Sequence, residues 1–153
     1  MDEEIQSLIT DEHRAAIGAK SEPYQVIVKA SEAHRMRDVI GDGDVRYTDD
    51  TGIAPPYVLA SLSTGAPPVR LPQVLPNAIL TQQEWRWGRP LKIGETLTVV
   101  SQVVDIRERL GGRYGHSILV MSGTDFVDES GAIVAGTLTT VTQFDPSKRQ
   151  ERE

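Results

Sequence analysis

The stretch APPYVLASLSTG, residues 54–65, holds no charged side chain. Pro56 suits the first position of a helix, where a missing N–H costs nothing, and Gly65 suits the residue just past its end. Val58, Leu59 and Leu62 fall between them at helical spacing. A helix with almost no charge has no polar face to give to water, so the sequence predicts that this one is buried. The fold then depends on what is available to bury it.

The second half of the chain reads as strand. ILTQQEWRW (79–87) alternates, and Trp85 and Trp87 share a parity, so both face one side, as core or subunit interface. RPLKIGE turns the chain into TLTVVSQVVDIRER (96–109), a long strand that LGGRYG breaks. HSILVMSGTDFV (116–127) and AIVAGTLTTVTQF (132–144) complete the set, with DESG as the turn between them. Before these strands, residues 63–78 hold four prolines in 16 residues, too broken for a helix or a central strand. A loop this long is either functional or a plain surface excursion.

The first third adds smaller elements. Thr10 caps a short helix through DEHRAAI that stops at Gly18, and PYQVIVKA (23–30) reads as a strand. Ser31 is expected to cap the next helix, with Ala33, Met36 and Ile40 on its inner face, Val39 beside them, and Gly41 closing it. Early helices followed by four long antiparallel strands give an α+β fold with one buried helix against a curved sheet. The expected domain spans residues 1–144, with a core from about 15 to 144, and residues 145–153 form a flexible charged tail.

Totals exclude several classes of function. The chain has 153 residues, enough for one domain with a real core. It has no cysteine, hence no disulfide, thiolate metal site or cysteine nucleophile. No apolar run is long enough to span a membrane, and the acidic start MDEEIQSLIT lacks the regions of a signal peptide, so a cytoplasmic location is the default expectation. The net charge is −6, and residues 1–50 carry all of it, with 12 acidic and 6 basic side chains. Nothing offers the basic face that nucleic-acid phosphates need.

The acidic excess includes the loop IGDGDVRYTDD (40–50), which begins where a helix stops. Taken alone, Asp42 and Asp44 read as turn formers. Together with APPYVLASL and RPLKIGETLTVVSQVVDIRER, however, IGDGDVRYTD resembles the MaoC-like hot-dog hydratase/dehydratase family, specifically its N-terminal-type (FAS1-like) dehydratase domain. The loop corresponds to the family's G-D-x-N-P-x-[HY]-x-D motif, and the later stretch to R-P-L-x-x-G-[DE]. The resemblance implies a hot-dog fold, a sheet wrapped around one central helix at 56–64. It implies hydration of trans-2-enoyl thioesters of coenzyme A or acyl carrier protein, or dehydration of the 3-hydroxy forms. No cofactor or metal is implied. Two hot-dog chains pair in this family, as homodimer or heterodimer, with sites at the interface.

Adding water to a conjugated thioester needs a base, a group that orients the water, and donors for the enolate-like oxygen. The resemblance assigns the catalytic Asp to Asp42. Five residues on, where active members carry His, stands Tyr47, a phenol with a reference pKa near 10 and so a poor base. Pro55 and Pro56 have no N–H at the helix start, which leaves the Tyr57 N–H as the substitute oxyanion donor. Arg86, Arg89 and Arg113, among the cations near strand ends, are candidates for a carrier phosphate, although charge guarding strand edges explains them equally. His116 is a conceivable replacement base but reads better as a surface histidine at a strand end, and His13 and His34 are expected to be exposed.

Loss of the histidine and of the usual donor points one way. The chain resembles the partner subunit of a two-chain hydratase/dehydratase, shaping the acyl site while another hot-dog chain carries the Asp/His pair. Two alternatives stay open: a self-sufficient enzyme using Asp42, and a non-catalytic acyl-thioester binding or scaffold protein.

Overall fold

A computed structural model of the chain describes residues 6–62, 69 and 73–149. Three helices and seven strands follow the order α1 (Asp11–Ala16), β1 (Tyr24–Ile27), α2 (Ala30–Ile40), β2 (Ile53–Ala54), α3 (Val58–Leu62), β3 (Asn77–Trp87), β4 (Leu91–Lys92), β5 (Thr96–Arg109), β6 (Ser117–Val127) and β7 (Ile133–Phe144). Five strands make one antiparallel sheet in the order β1-β5-β6-β7-β3, and β2 and β4 form a separate two-stranded ladder. Most of the proline-rich segment, the last residues assigned to the central helix and the end of the tail lie outside the described residues.

The charge-free helix is buried as its composition requires. Val58 and Leu59 are fully buried and pack with Leu97, Val99, Phe126, Val134 and Ala135 of the sheet and Ala33 of α2. Register explains why these sheet residues share a face: Val99 pairs with Phe126, Phe126 with Ala135, and Ala135 with Trp87. Side chains of directly paired residues stand on one side of a sheet. Farther along the same face, Ile106 pairs with Val120 and Val120 with Val141. Val103, Ile106, Ile118 and Val120 form a second cluster, covered by Leu8, Ile9, Ala16, Val69 and Leu75. Between the two lies a row of hydroxyls, Ser101, Thr124 and Thr137, with Ser101 and Thr124 bonded at 2.7 Å. Register shifts at Leu80/Gln82, Val103/Asp105 and Phe126/Val127 mark irregularities of the bulge kind, which bend strands and help the sheet curve around the helix.

The indoles of Trp85 and Trp87 stack at 4.9 Å, and Trp85 also meets Phe126 at 6.0 Å, so their shared face is the core side. Several expectations need correction. Helix α2 starts at Ala30 with Lys29 as its N-cap, so Ser31 lies inside it. Only Ala33 of its expected inner face is buried, while Val39 is 78% and Ile40 55% exposed. His13 is fully buried rather than exposed. Its Nδ1 accepts the Thr10 backbone N–H at 3.0 Å, while the Thr10 hydroxyl oxygen accepts the His13 N–H at 3.3 Å, a reciprocal capping box. A ring nitrogen that accepts leaves the proton on Nε2, which is buried without a partner. At the start of the tail, Asp145 caps a short 3₁₀ turn at Pro146–Lys148.

Leu59→Ala removes a wholly buried side chain and should lower unfolding free energy by about 3 kcal/mol, within the usual range of roughly 2–5. Val39→Ala, on the exposed flank of α2, should cost less than about 0.5 kcal/mol. Urea denaturation of both variants checks the difference.

Candidate acyl-thioester site

Helix α2 sets up the acidic loop. Gly41 adopts a left-handed φ of 73°, open to glycine at no steric cost, and turns the chain out of the helix. The Arg37 carbonyl accepts both the Gly41 N–H at 2.8 Å and the Asp42 N–H at 3.0 Å. The Arg37 guanidinium donates to the Tyr47 carbonyl at 2.6 Å, so one residue ties both ends of the loop. Asp44 then caps a 3₁₀ turn at Val45–Tyr47.

Asp42 is half-buried and both its carboxylate oxygens are engaged. Oδ2 accepts the Tyr57 hydroxyl at 2.7 Å, and Oδ1 accepts the Asp44 N–H at 2.9 Å. These two bonds, Tyr57 first, hold the Asp42 carboxyl below the usual aspartate range. Burial and the bond to Asp42 push the Tyr57 phenol up to about 12. Asp44 is drawn to about 2 by the Arg46 side chain and N–H. Asp49 and Asp50 are exposed, and Asp50 accepts from Thr48.

Among the described residues no hydrogen bond joins Tyr47 to Asp42. Tyr47 instead lines a cavity of about 450 Å³ on the flank of the same loop. Its walls come from Ile53 and Ala54 of β2, Pro56 before α3, Trp87 at the end of β3 and Leu91 of β4, with Arg46 and Arg89 beside them. The β2–β4 ladder, Ile53 opposite Lys92 and Ala54 opposite Leu91, fixes the floor. Such a lining suits an apolar group. Sequence reasoning found Tyr47 but missed this cavity, because Ile53, Trp87 and Leu91 come together only through strand pairing.

Tyr57, expected as an oxyanion donor through its N–H, also meets the loop through its phenol, a contact the sequence reading did not foresee. The three histidines are engaged elsewhere. His13 is the buried residue of α1, exposed His34 meets Asp38 at 3.3 Å, and half-buried His116 meets Glu108 at 2.8 Å. Glu108 also accepts from Ser7 and Leu8, so this pair fastens the N-terminal segment to the sheet.

The arginines do not form a cluster. Arg86 is exposed on β3 beside Glu84, whereas Arg113 stands at the β5–β6 hairpin over the Tyr114 ring, at the opposite end of the sheet. Arg89 bridges Glu95 at 2.7 Å and Asp128 at 3.1 Å. The Glu95 bond above all raises its own pKa. Burial works to raise Glu95, but Arg89 and the Lys92 N–H bring it below the usual range. This guanidinium joins the turn before β5 to the turn after β6. Among the described residues no group of three or more His, Asp or Glu side chains is placed to hold a metal ion. None of their helices is long and apolar enough to cross a membrane.

Comparison with known proteins agrees with this geometry. The FAS1-like dehydratase domain region matches residues 15–137. The 3-hydroxyacyl-thioester dehydratase Y of Mycobacterium tuberculosis is 28% identical over 135 residues, which are 82% of this chain and 46% of that protein. The chain thus spans about half the length of that curated relative. Among solved structures, the ChsH1–ChsH2 complex of Mycobacterium tuberculosis aligns with a TM-score of 0.71 at 17% identity, covering 90% of this chain and 94% of the other. A MaoC-like dehydratase of Rhodospirillum rubrum gives 0.58 at 19% identity, covering 90% and 95%. The C-terminally truncated HadBC (3R-hydroxyacyl-ACP dehydratase) complex of Mycobacterium tuberculosis gives 0.60 at 15%, covering 83% and 96%. These likenesses establish the hot-dog fold.

Asp128 titrates at 3.8 in its ordinary setting and is held at about 2 here, first by the Ser130 hydroxyl and then by Arg89. A depressed carboxylate contributes stability above its unfolded value, and that contribution is lost as pH falls through the folded one. The urea midpoint should therefore drop as pH is lowered from about 4 to about 2, and Asp128→Asn should flatten that drop. Arg89→Gln should lower the midpoint at neutral pH.

Proposed function

The chain belongs to the MaoC-like hot-dog family as a FAS1-like dehydratase domain, and from that premise we propose that it is a subunit of an enoyl-thioester hydratase/3-hydroxyacyl-thioester dehydratase assembly. It borders the acyl site, and a second hot-dog chain supplies the complete Asp/His pair. The carrying observation is a site loop that keeps its carboxylate, Asp42, while each histidine is engaged elsewhere. Without an imidazole, this chain has no side chain suited to shuttling a proton near neutral pH at that loop. The apolar cavity beside Tyr47 takes part of the acyl group.

Strand β3 supports the pairing. It is 11 residues long, lies at the sheet edge with one backbone side unpaired among the described residues, and carries Ile79 and Leu80 at 55% and 54% exposure. An edge of this length calls for a covering strand. Two of the solved structures with this fold, ChsH1–ChsH2 and HadBC, are themselves complexes. The name of the curated relative supports a 3-hydroxyacyl thioester as the substrate class.

A second reading, a self-sufficient hydratase with Asp42 as base, draws on the Tyr57–Asp42 bond, which keeps the carboxylate ionised.

Enoyl-CoA hydration by the purified chain, alone and then mixed with a hot-dog chain that keeps Asp and His five residues apart, separates the two. The chain alone should be at least about 100-fold slower than the mixture, the scale of a missing proton-transfer group. Robust turnover by the chain alone, abolished by Asp42→Asn, would establish the second reading instead. Leu80→Lys should leave the chain folded by circular dichroism while weakening assembly, read as a shift to the monomer in size-exclusion chromatography with light scattering.

A further inference from the structure

Asp42 is fixed by a residue outside its own loop. Tyr57 stands at the entrance to α3, one residue before the fully buried Val58 and Leu59, so its backbone is anchored in the main core. From there its hydroxyl donates to Asp42 Oδ2 at 2.7 Å. The other oxygen takes the Asp44 N–H from within the loop. A carboxylate oxygen can accept about two hydrogen bonds, so among the described residues each keeps one acceptor direction open. The two fixed bonds decide where those open directions point.

We propose that Tyr57 is the positioning residue of Asp42, turning the carboxylate so that its free lone pairs receive an O–H group, the attacking water or the 3-hydroxyl of the acyl thioester. This rests on the reading that the Asp42 loop belongs to the acyl-thioester site. Tyr57, rather than the Tyr47 that the spacing pointed to, then completes the pair. Asp42 holds the hydroxyl beside the Asp/His pair of the partner chain, whose imidazole carries the proton. The division follows from the bonds themselves: two donors aimed at the ionised carboxylate make it a better anchor and a weaker base. No bond to substrate is made or broken by either residue.

The test has one arm that needs no activity. In the folded chain alone, the carboxyl carbon of Asp42 is followed by NMR through its titration. Tyr57→Phe, which removes only the hydroxyl, should move that titration upward, and Tyr47→Phe should leave it in place. An unmoved titration in Tyr57→Phe overturns the proposal. If Tyr57→Phe loses its fold by circular dichroism, Asp42→Asn decides: the Tyr57 ring should then titrate below its value of about 12, and an unchanged value overturns the pairing.

The second arm uses the assembled two-chain enzyme. Tyr57→Phe should lower kcat on the order of 10-fold with KM little changed, and should cost nothing further in an Asp42→Asn background. Losses that multiply in the double variant overturn the claim that Tyr57 acts through Asp42. If no assembly turns over any enoyl thioester, the proposed function fails, and the titration still decides the pair.

Discussion

Val58 and Leu59 have to be kept out of water, and α3 offers no charged face on which the chain could compromise. The five described residues of α3 are too few to hold a helix by themselves, so they depend on the surface that covers them. That surface is the row Val99, Phe126 and Ala135, supplied by three strands whose register puts these side chains on one side. Burying even one Leu/Phe contact set of this kind yields a few kcal/mol, comparable with the net stability of a small domain. Strand irregularities, the second ladder of β2 and β4, and the position of α2 all follow from closing this one apolar volume. The site follows as well, because Tyr57 is placed by the residues immediately after it.

The acidic loop shows how a rigid core holds a polar group in place. It has no apolar anchor of its own: Val45 is 75% exposed, and Gly41 and Gly43 have open space around them. Its shape comes from Arg37, which accepts at one end and donates at the other, and from Asp44, which caps the 3₁₀ turn. Orientation of the Asp42 carboxylate comes from outside the loop, through a phenol just before a helix that cannot move without exposing Leu59. Loops that bear function on such scaffolds gain precision from what they touch rather than from their own packing.

The strands were legible because alternation is a local property. β5 matches its expected limits of 96–109, and β6 and β7 begin one residue later than read. Gly41 was legible for the same reason, since only its own backbone conformation is at stake. The errors fall where distant segments meet. His13 has charged neighbours and reads as exposed, yet Thr10 and the strand beneath α1 enclose it. Val39 and Ile40 carry the helical apolar pattern but, among the described residues, meet nothing that buries them. Arg89, expected to meet a carrier phosphate or to guard a strand edge, also bridges the turns bearing Glu95 and Asp128, a contact with no local signature. The motif led to Asp42, but a side-chain partner 15 residues away has no local signature.

The open side of β3 also bears on how the protein is made. Among the described residues this edge is unpaired and carries Ile79 and Leu80, a surface on which an extended apolar segment can add, while a register shift and the Glu84 and Arg86 side chains interrupt it. On the proposed two-chain assembly, a chain synthesised in excess of its mate presents a template for aggregation, in proportion to the surplus. Gene dosage then becomes a physical variable: the safe concentration of one chain is set by the supply of the other, and balanced translation protects solubility before any substrate is met.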